Sequence, residues 1–240
     1  MEGLFMRVIK EGFLYQLTFM PKLFPVNCYF VEEEDGLTLI DAALPNSAKP
    51  ILEGAKQIGK PIQRIVLTHA HGDHIGALDE LKNQLKVPVY ISGRDSRLLA
   101  GDTSLDPTEP QLPIRGGIPK NIKTKADVLL QDGDNIGSLT AFFTPGHTPG
   151  SMSFLDVRTN AVIAGDAFQT RGGTAVSGVT VPWFPFPAMA TWNKEAALES
   201  ARIIQGLKPS LFAVGHGELL KSPGELLEKA IMKAETILSK

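Results

Sequence analysis

Short apolar runs broken by polar turns dominate the first forty residues. Val8-Ile9, 13–19, 27–31 and 37–40 are apolar or alternating, separated by Glu11-Gly12 and Asp35-Gly36, which is the pattern of successive strands. A slower period then sets in. Residues 47–58 read as a helix with Ser47 near its start and Gly59 at its end. A strand over 62–67, an amphipathic helix over 75–85, a strand over 87–91 and a short helix within 93–100 follow. The stretch 101–120 contains four prolines and predicts no element; it is either a functional loop or a solvent-exposed connection. A second β-rich block occupies 123–130, 139–143, 152–156 and 161–164. A helix over 193–207 and a strand over 211–214 come next. The last helix runs to about residue 238 behind Ser222-Pro223-Gly224-Glu225, a capping-box pattern with proline at the first helical position.

Two segments lack a regular period. Residues 20–26 are apolar with two prolines, Pro21 and Pro25, and read equally as a core-packed turn or a flap. Residues 169–191 include VPWFPFPAMA, which gathers Trp183, Phe184 and Phe186 among three prolines. Because the prolines prevent sheet pairing, this segment reads as an apolar cover over a pocket, with packing beneath a helix as the alternative. Trp183, Phe184, Phe186 and the upstream Phe168 are the expected substrate wall.

Composition narrows the class. A hydrophobic content of 43% suffices for a substantial core, and a net charge of -2 argues against nucleic acid or an acidic membrane surface as the main partner. The single cysteine, Cys28, excludes an internal disulfide and disfavours a thiolate metal site. The opening MEGLFMRVIKEG carries acid early and has no long apolar core, so no export signal is expected. No run is long enough to span a bilayer. A soluble cytoplasmic protein is expected, with a homodimer left open. No linker or low-complexity segment interrupts the chain, so 1–240 is expected to be one domain.

The chemistry concentrates at Thr68-His69-Ala70-His71-Gly72-Asp73-His74, where a predicted strand hands over to a predicted helix. Imidazole nitrogen and carboxylate oxygen are donors for zinc and its first-row neighbours. Residues two apart in an extended chain point the same way, so His69 and His71 can reach one ion, while the turn at Gly72 swings Asp73 and His74 towards a second. The remaining two of only five histidines lie in comparable settings. His147 sits in TPGHTPGS between two predicted strands, and His216 follows the apolar run 211–214. Asp166 ends AVIAGD, and Asp41 closes LTLID, placed to fix the orientation of a ligand histidine.

With Asp41, HAHGDH, His147, Asp166 and His216 in this order, the chain resembles the metallo-β-lactamase-fold hydrolase superfamily. That resemblance implies an α/β fold of four layers, an αββα sandwich with metals at one edge. It implies that His69, His71 and His147 bind one divalent ion, that Asp73, His74 and His216 bind another, and that Asp166 bridges them. The ions expected are zinc, with manganese or iron as alternatives. The implied chemistry is attack by a metal-bridging hydroxide on an ester, thioester or lactone carbonyl, with Asp73 orienting the nucleophile and passing a proton to the leaving group. No covalent intermediate is required. The expected substrate is a small molecule with a hydrophobic or acyl group.

Branches of the family differ. β-Lactamases of this fold are typically exported and do not use an aspartate bridge at the position of Asp166. Quorum-signal lactonases place a tyrosine soon after that aspartate, where this chain has Phe168. Glyoxalase II-like thioesterases add a basic helical substrate domain that is not evident here. Persulfide dioxygenases share much of the motif and use a single iron for oxygen chemistry, which is the principal alternative. A metal-binding protein without catalysis is the remaining one.

Overall fold

The computed structural model describes residues 6–239; residues 1–5, which begin the stretch read above as lacking an export signal, lie outside that range. Four strands open the chain: β1 (Met6–Glu11), β2 (Leu14–Phe19), β3 (Val26–Glu32) and β4 (Leu37–Ile40). They form an antiparallel meander, and β5 (Ile62–Val66), β6 (Val89–Ser92) and β7 (Val128–Leu130) extend it in parallel in strict order. Parallel neighbours need crossovers. These are supplied by α1 (Ala48–Ile58), then by α2 (Gly72–Ile75) with α3 (Leu78–Leu85), and finally by α4 (Asp95–Leu99) with the long loop that follows it.

A second sheet has the order β15-β14-β11-β10-β9-β8. Its strands are β8 (Asn135–Ile136), β9 (Leu139–Phe143), β10 (Met152–Asp156), β11 (Ala161–Ile163), β14 (Leu211–Ala213) and β15 (Leu220–Lys221). A small hairpin, β12 (Phe168–Gln169) with β13 (Ala175–Val176), leads to α5 (Phe186–Met189). Two longer helices, α6 (Lys194–Gly206) and α7 (Gly224–Leu238), complete the chain.

The central strands are buried on both faces, and their two-residue period divides the side chains between different cores. From β3 and β4, Cys28, Phe30, Leu37 and Leu39 join Ile51 of α1, Leu78 and Leu81 of α3 and Leu98 of α4. Their neighbours Tyr29, Val31 and Ile40 point the other way and meet Leu139, Met152, Phe154 and Ile163 of the second sheet. On that sheet's far side, Val162 and Phe212 pack under Ala201 and Ile204 of α6 and Leu227 and Ile231 of α7. Three apolar interlayers thus separate four layers, the αββα sandwich expected from the resemblance.

Several local expectations are corrected. The helix predicted over 75–85 begins later, as α3, because a break at 76–77 separates it from α2, which ends at Ile75. The amides of Gly76 and Ala77 donate to the carbonyls of Ala43 and Ala42 instead of continuing α2. The strand predicted over 123–130 shrinks to β7, which completes the first sheet rather than starting the second. Asn193 caps α6 by accepting from the Ala196 amide at 2.9 Å. Ser222 does not cap α7, because its φ of 46° lies in the left-handed region and Pro223 takes the capping position. Ser47 likewise precedes α1 without a side-chain cap bond. Residues 169–191 are not wholly excluded from pairing either: β12 and β13 pair ahead of the prolines.

Candidate metal centre

Strand ends from both sheets converge on one edge of the sandwich. Asp41 follows β4, the segment 68–74 follows β5, and His147 lies between β9 and β10. Asp166 follows β11 and His216 follows β14. The edges are stitched directly. The Met152 amide donates to the Thr68 carbonyl at 2.9 Å. Asn27 Nδ2 and Tyr29 Oη on β3 donate to the Val214 carbonyl at 2.8 and 2.6 Å, which holds the loop carrying His216.

Seven donors meet there in overlapping groups: His69, His71 and His147; His69, His74 and Asp166; Asp73, His74 and His216. Within each group the candidate donor atoms lie within 4.8 Å of one another. Asp166 spans the cluster, with Oδ2 3.3 Å from His147 Nε2 and 3.2 Å from His216 Nε2, and Oδ1 3.5 Å from His74 Nε2. Asp73 Oδ2 is 3.4 Å from His216 Nε2, and its side chain keeps 26% exposure. All the others are buried.

The hydrogen-bond network assigns every imidazole tautomer. Thr68 gives its hydroxyl proton to Asp41 Oδ2 at 2.8 Å, so Thr68 Oγ1 must accept from His69 Nδ1 at 3.0 Å. His74 Nδ1 donates to Asp41 Oδ2 at 2.8 Å, and His216 Nδ1 donates to the Pro25 carbonyl at 2.7 Å. His71 is reversed: its Nε2 donates to the Arg115 carbonyl at 2.9 Å. A relay behind His147 runs one way, because Thr191 Oγ1 donates to the Pro187 carbonyl at 2.7 Å. Ser177 Oγ therefore donates to Thr191 at 2.7 Å and accepts from His147 Nδ1 at 3.0 Å.

Each of the five rings thus spends one N–H outward and turns its other nitrogen inward. Inward-facing His69 Nε2, His74 Nε2 and Asp166 Oδ1 have no hydrogen-bond partner. His71 Nδ1 and His147 Nε2 face each other at 2.9 Å with no proton between them. Buried polar atoms left this way are costly, and a cation satisfies all of them together. A tetrahedral ion with metal–nitrogen bonds of about 2.0–2.1 Å separates its ligands by about 3.4 Å, close to the spacings found here. Nitrogen and carboxylate donors without sulfur suit zinc, manganese or iron.

The electrostatics divide the rings into two sets. Burial pushes His69 and His71 down, and His147 to about 3, so all three stay neutral and free to ligate. Burial opposes the charged form of His74 and His216 as well. There the carboxylates of Asp166 and its neighbours outweigh it, raising His74 well above its usual value and His216 to about 10. Asp166 is buried yet held far below the usual carboxylate range by the imidazoles of His216, His74 and His147. These carboxylates call for positive charge at the cluster.

A cavity of about 410 Å³ opens onto the donors. His71, Asp73, His147, Asp166 and His216 line its floor, and Phe24, Phe186, Pro187, Met189 and Ala190 its wall; Gly116 and Gly117 close one side. Of the four aromatic residues expected to form a substrate wall, only Phe186 does so. Phe168 is buried against Phe212, with ring centroids 5.3 Å apart. Phe184 lies behind the wall, 5.1 Å from Phe24 and 5.3 Å from both Phe186 and His216. Trp183 is 89% exposed and outside the lining. Phe24 settles the 20–26 segment as part of the wall, and Arg115–Gly117 settle 101–120 as a loop that touches the donors. The sequence marks both segments as candidates but names neither Phe24 nor Arg115–Gly117 within them. A Gly-Gly pair in a proline-rich loop was the one available signal.

A family model described as the metallo-beta-lactamase superfamily matches residues 21–216, and the chain belongs to that superfamily. YobT of Bacillus subtilis (strain 168) is 60% identical over 232 residues, covering 96% of this chain and 99% of YobT. The probable metallo-hydrolase YflN of the same strain is 32% identical, covering 80% of each chain. Among solved structures, a metallo-beta-lactamase from Pontibacter korlensis shares the fold with a TM-score of 0.73 at 18% identity, over 96% of this chain and 99% of its own. The chain is thus a member of a metal-dependent metallo-hydrolase superfamily, with histidine and aspartate groups able to hold metal. Among the described residues, no helix is long and apolar enough to cross a membrane.

Proposed function

We propose that the protein is a dinuclear metal-dependent hydrolase of esters, thioesters or lactones with an apolar acyl portion. One ion is held by His69, His71 and His147 and the other by Asp73, His74 and His216, with Asp166 between them. Zinc is the expected metal, manganese or iron the alternatives. The observation that carries this reading is the set of five outward-bonded imidazoles whose inward nitrogens gather in overlapping groups with Asp73 and Asp166.

Bound ions supply an acidified water and polarise a carbonyl oxygen. The chain's own groups do the rest. Asp73 is the one donor carboxylate with appreciable exposure to the cavity. It is positioned to orient the attacking water and to carry a proton to the leaving group. Phe24, Phe186, Pro187 and Met189 present an apolar wall for an acyl chain. Among the described residues the lining contributes no lysine or arginine side chain, so a carboxylated substrate finds no cationic side chain there; it contributes no tyrosine either. Ser177, although bonded to His147, is buried behind the ring and outside the lining, and Cys28 is buried in the core. Direct attack by water, without a covalent intermediate, follows.

The group His69, His74 and Asp166 supports a second reading, because two histidines and one carboxylate are the donor set of mononuclear non-haem iron oxygenases. Elemental analysis of the purified protein, with a screen of lactones, thioesters, esters, phosphodiesters and β-lactams, separates the two. Two zinc or manganese ions per chain with ester-class turnover support the hydrolase. One iron with sulfur-dependent oxygen uptake refutes it.

A further inference from the structure

The ligand loops of the first triad belong to different sheets. His69 and His71 follow β5, and His147 lies between β9 and β10. The residue that joins these loops belongs to neither. Asp95 opens α4, beyond the end of β6, and is fully buried. Its Oδ2 accepts from the Ala70 amide at 3.0 Å, between His69 and His71, and from Thr148 Oγ1 at 2.8 Å, next to His147. Its Oδ1 accepts from the Gly150 amide at 2.8 Å.

The same corner is braced a second time. Ser92 Oγ accepts from the Asp95 amide at 3.0 Å and donates to the Gly150 carbonyl at 2.6 Å. The fit leaves no room for a side chain at position 150, where a Cβ would fall 2.6 Å from both Asp95 Oδ1 and Ser92 Oγ.

A buried carboxylate without a salt-bridge partner is expensive unless every lone pair is used. The adjacent Arg94 is committed elsewhere, to Glu109. Asp95 lines no part of the cavity that faces the donors, so it touches no substrate. Its three donors all come from the two loops carrying His69, His71 and His147. Asp41 serves the other side of the cluster, bonding His74 directly and His69 through Thr68.

We propose that Asp95 is the positioning residue of the His69/His71/His147 site: its carboxylate fixes the spacing of the two loops and thereby the affinity for the ion held there. This inference rests on the metal reading above. The two ion sites then have separate supports, Asp95 for one and principally Asp41 for the other. Removing Asp95 weakens one site, whereas Asp41 reaches a ligand of each.

Asp95→Asn keeps the shape but turns an amide N–H₂ towards the Ala70 or Gly150 N–H, whichever way the side chain is placed. The test uses apoprotein of the wild type and D95N, with circular dichroism to verify the fold. Each is titrated with Zn²⁺ against a chromophoric chelator and with Co²⁺ followed by its visible absorption. Wild type is expected to take two equivalents. D95N is expected to keep one at wild-type affinity and bind the other about 10–100-fold more weakly, the range for loss of a partner that orients a ligand. The weakened equivalent should be the one that His71→Ala removes and not the one that His216→Ala removes.

Wild-type affinity at both sites in D95N, or equal weakening of both, overturns the proposal. A wild type that binds no metal overturns the metal reading itself. Should D95N fail to fold, Thr148→Val removes a single bond of the clamp. It should weaken the same equivalent by a smaller factor; unchanged binding there also overturns the proposal.

Discussion

Replacing Gly116 with alanine tests how far the long 101–120 loop governs the donors. Gly116 has φ +92° and lies against the ring of His71; an added Cβ would sit 2.5 Å from Cε1 and clash with Nε2. The contact must open from 2.5 Å to the ordinary 3.4 Å, a shift of about 0.9 Å taken either by the ring or by the loop. A moving ring loses its donor geometry, because metal–ligand distances are held to about ±0.2 Å. A moving loop carries away the Arg115 carbonyl that fixes the tautomer of His71. Both routes weaken the His69/His71/His147 site, by about 10–100-fold in affinity, equivalent to about 1.4–2.7 kcal/mol. The unfavourable φ adds about 1–2 kcal/mol of destabilisation to the loop. Gly117→Ala is the control, since a Cβ there meets the Gly72 amide nitrogen at an ordinary 3.7 Å, and it should change affinity less than about twofold. The assay is competition for Zn²⁺ against a chromophoric chelator, with circular dichroism to verify folding. A folded Gly116→Ala variant that binds both equivalents as wild type does would show that the loop merely covers the donors.

Three further outcomes are expected. Asp73→Asn should retain fold and expression but lose about 10²–10⁴-fold in kcat, the range for a positioned acid–base group; wild-type turnover in steady-state assays refutes that role. Phe186→Ala removes a half-exposed wall residue, so about 1 kcal/mol and about a fivefold rise in KM for an apolar acyl substrate are expected, whereas Trp183→Ala should leave KM unchanged. Equal effects of the two variants would contradict the cavity described here. Stripping the metal with a chelator should lower Tm by about 5–11 °C per site relative to protein with Zn²⁺ at 100 times Kd; calorimetry showing no shift on adding Zn²⁺ counts against a site built for cations.

The donors were readable before the fold because each is a rare residue type placed at the end of an apolar run. All seven named from the sequence end in one cluster. Asp41, too, is found bonded to His74 and Thr68. What escaped acts through the backbone or through space. Arg115 contributes a carbonyl that every residue possesses, and Asp95 lies 25 positions from Ala70, 53 from Thr148 and 55 from Gly150, which it bonds, in a stretch read only as a short helix. The aromatic wall was misjudged residue by residue because composition cannot tell which face of a proline-rich loop turns inward. Phe168 went to the core, Trp183 to solvent and Phe184 behind the wall. Very short strands such as β8 and β15 carry too few residues to show a period, and the break between α2 and α3 comes from carbonyls more than thirty residues upstream.

The order in which the donors appear along the chain bears on biosynthesis. His69, His71, Asp73 and His74 emerge from a ribosome well before His147, Asp166 and His216, and the first sheet lacks only β7 once residue 92 is made. A nascent chain at that stage displays four of the seven candidate donors with nothing to complete the cluster. On the proposed reading, loading of the two ions therefore belongs after the second sheet has docked, and an ion met earlier would find only a half-built cradle.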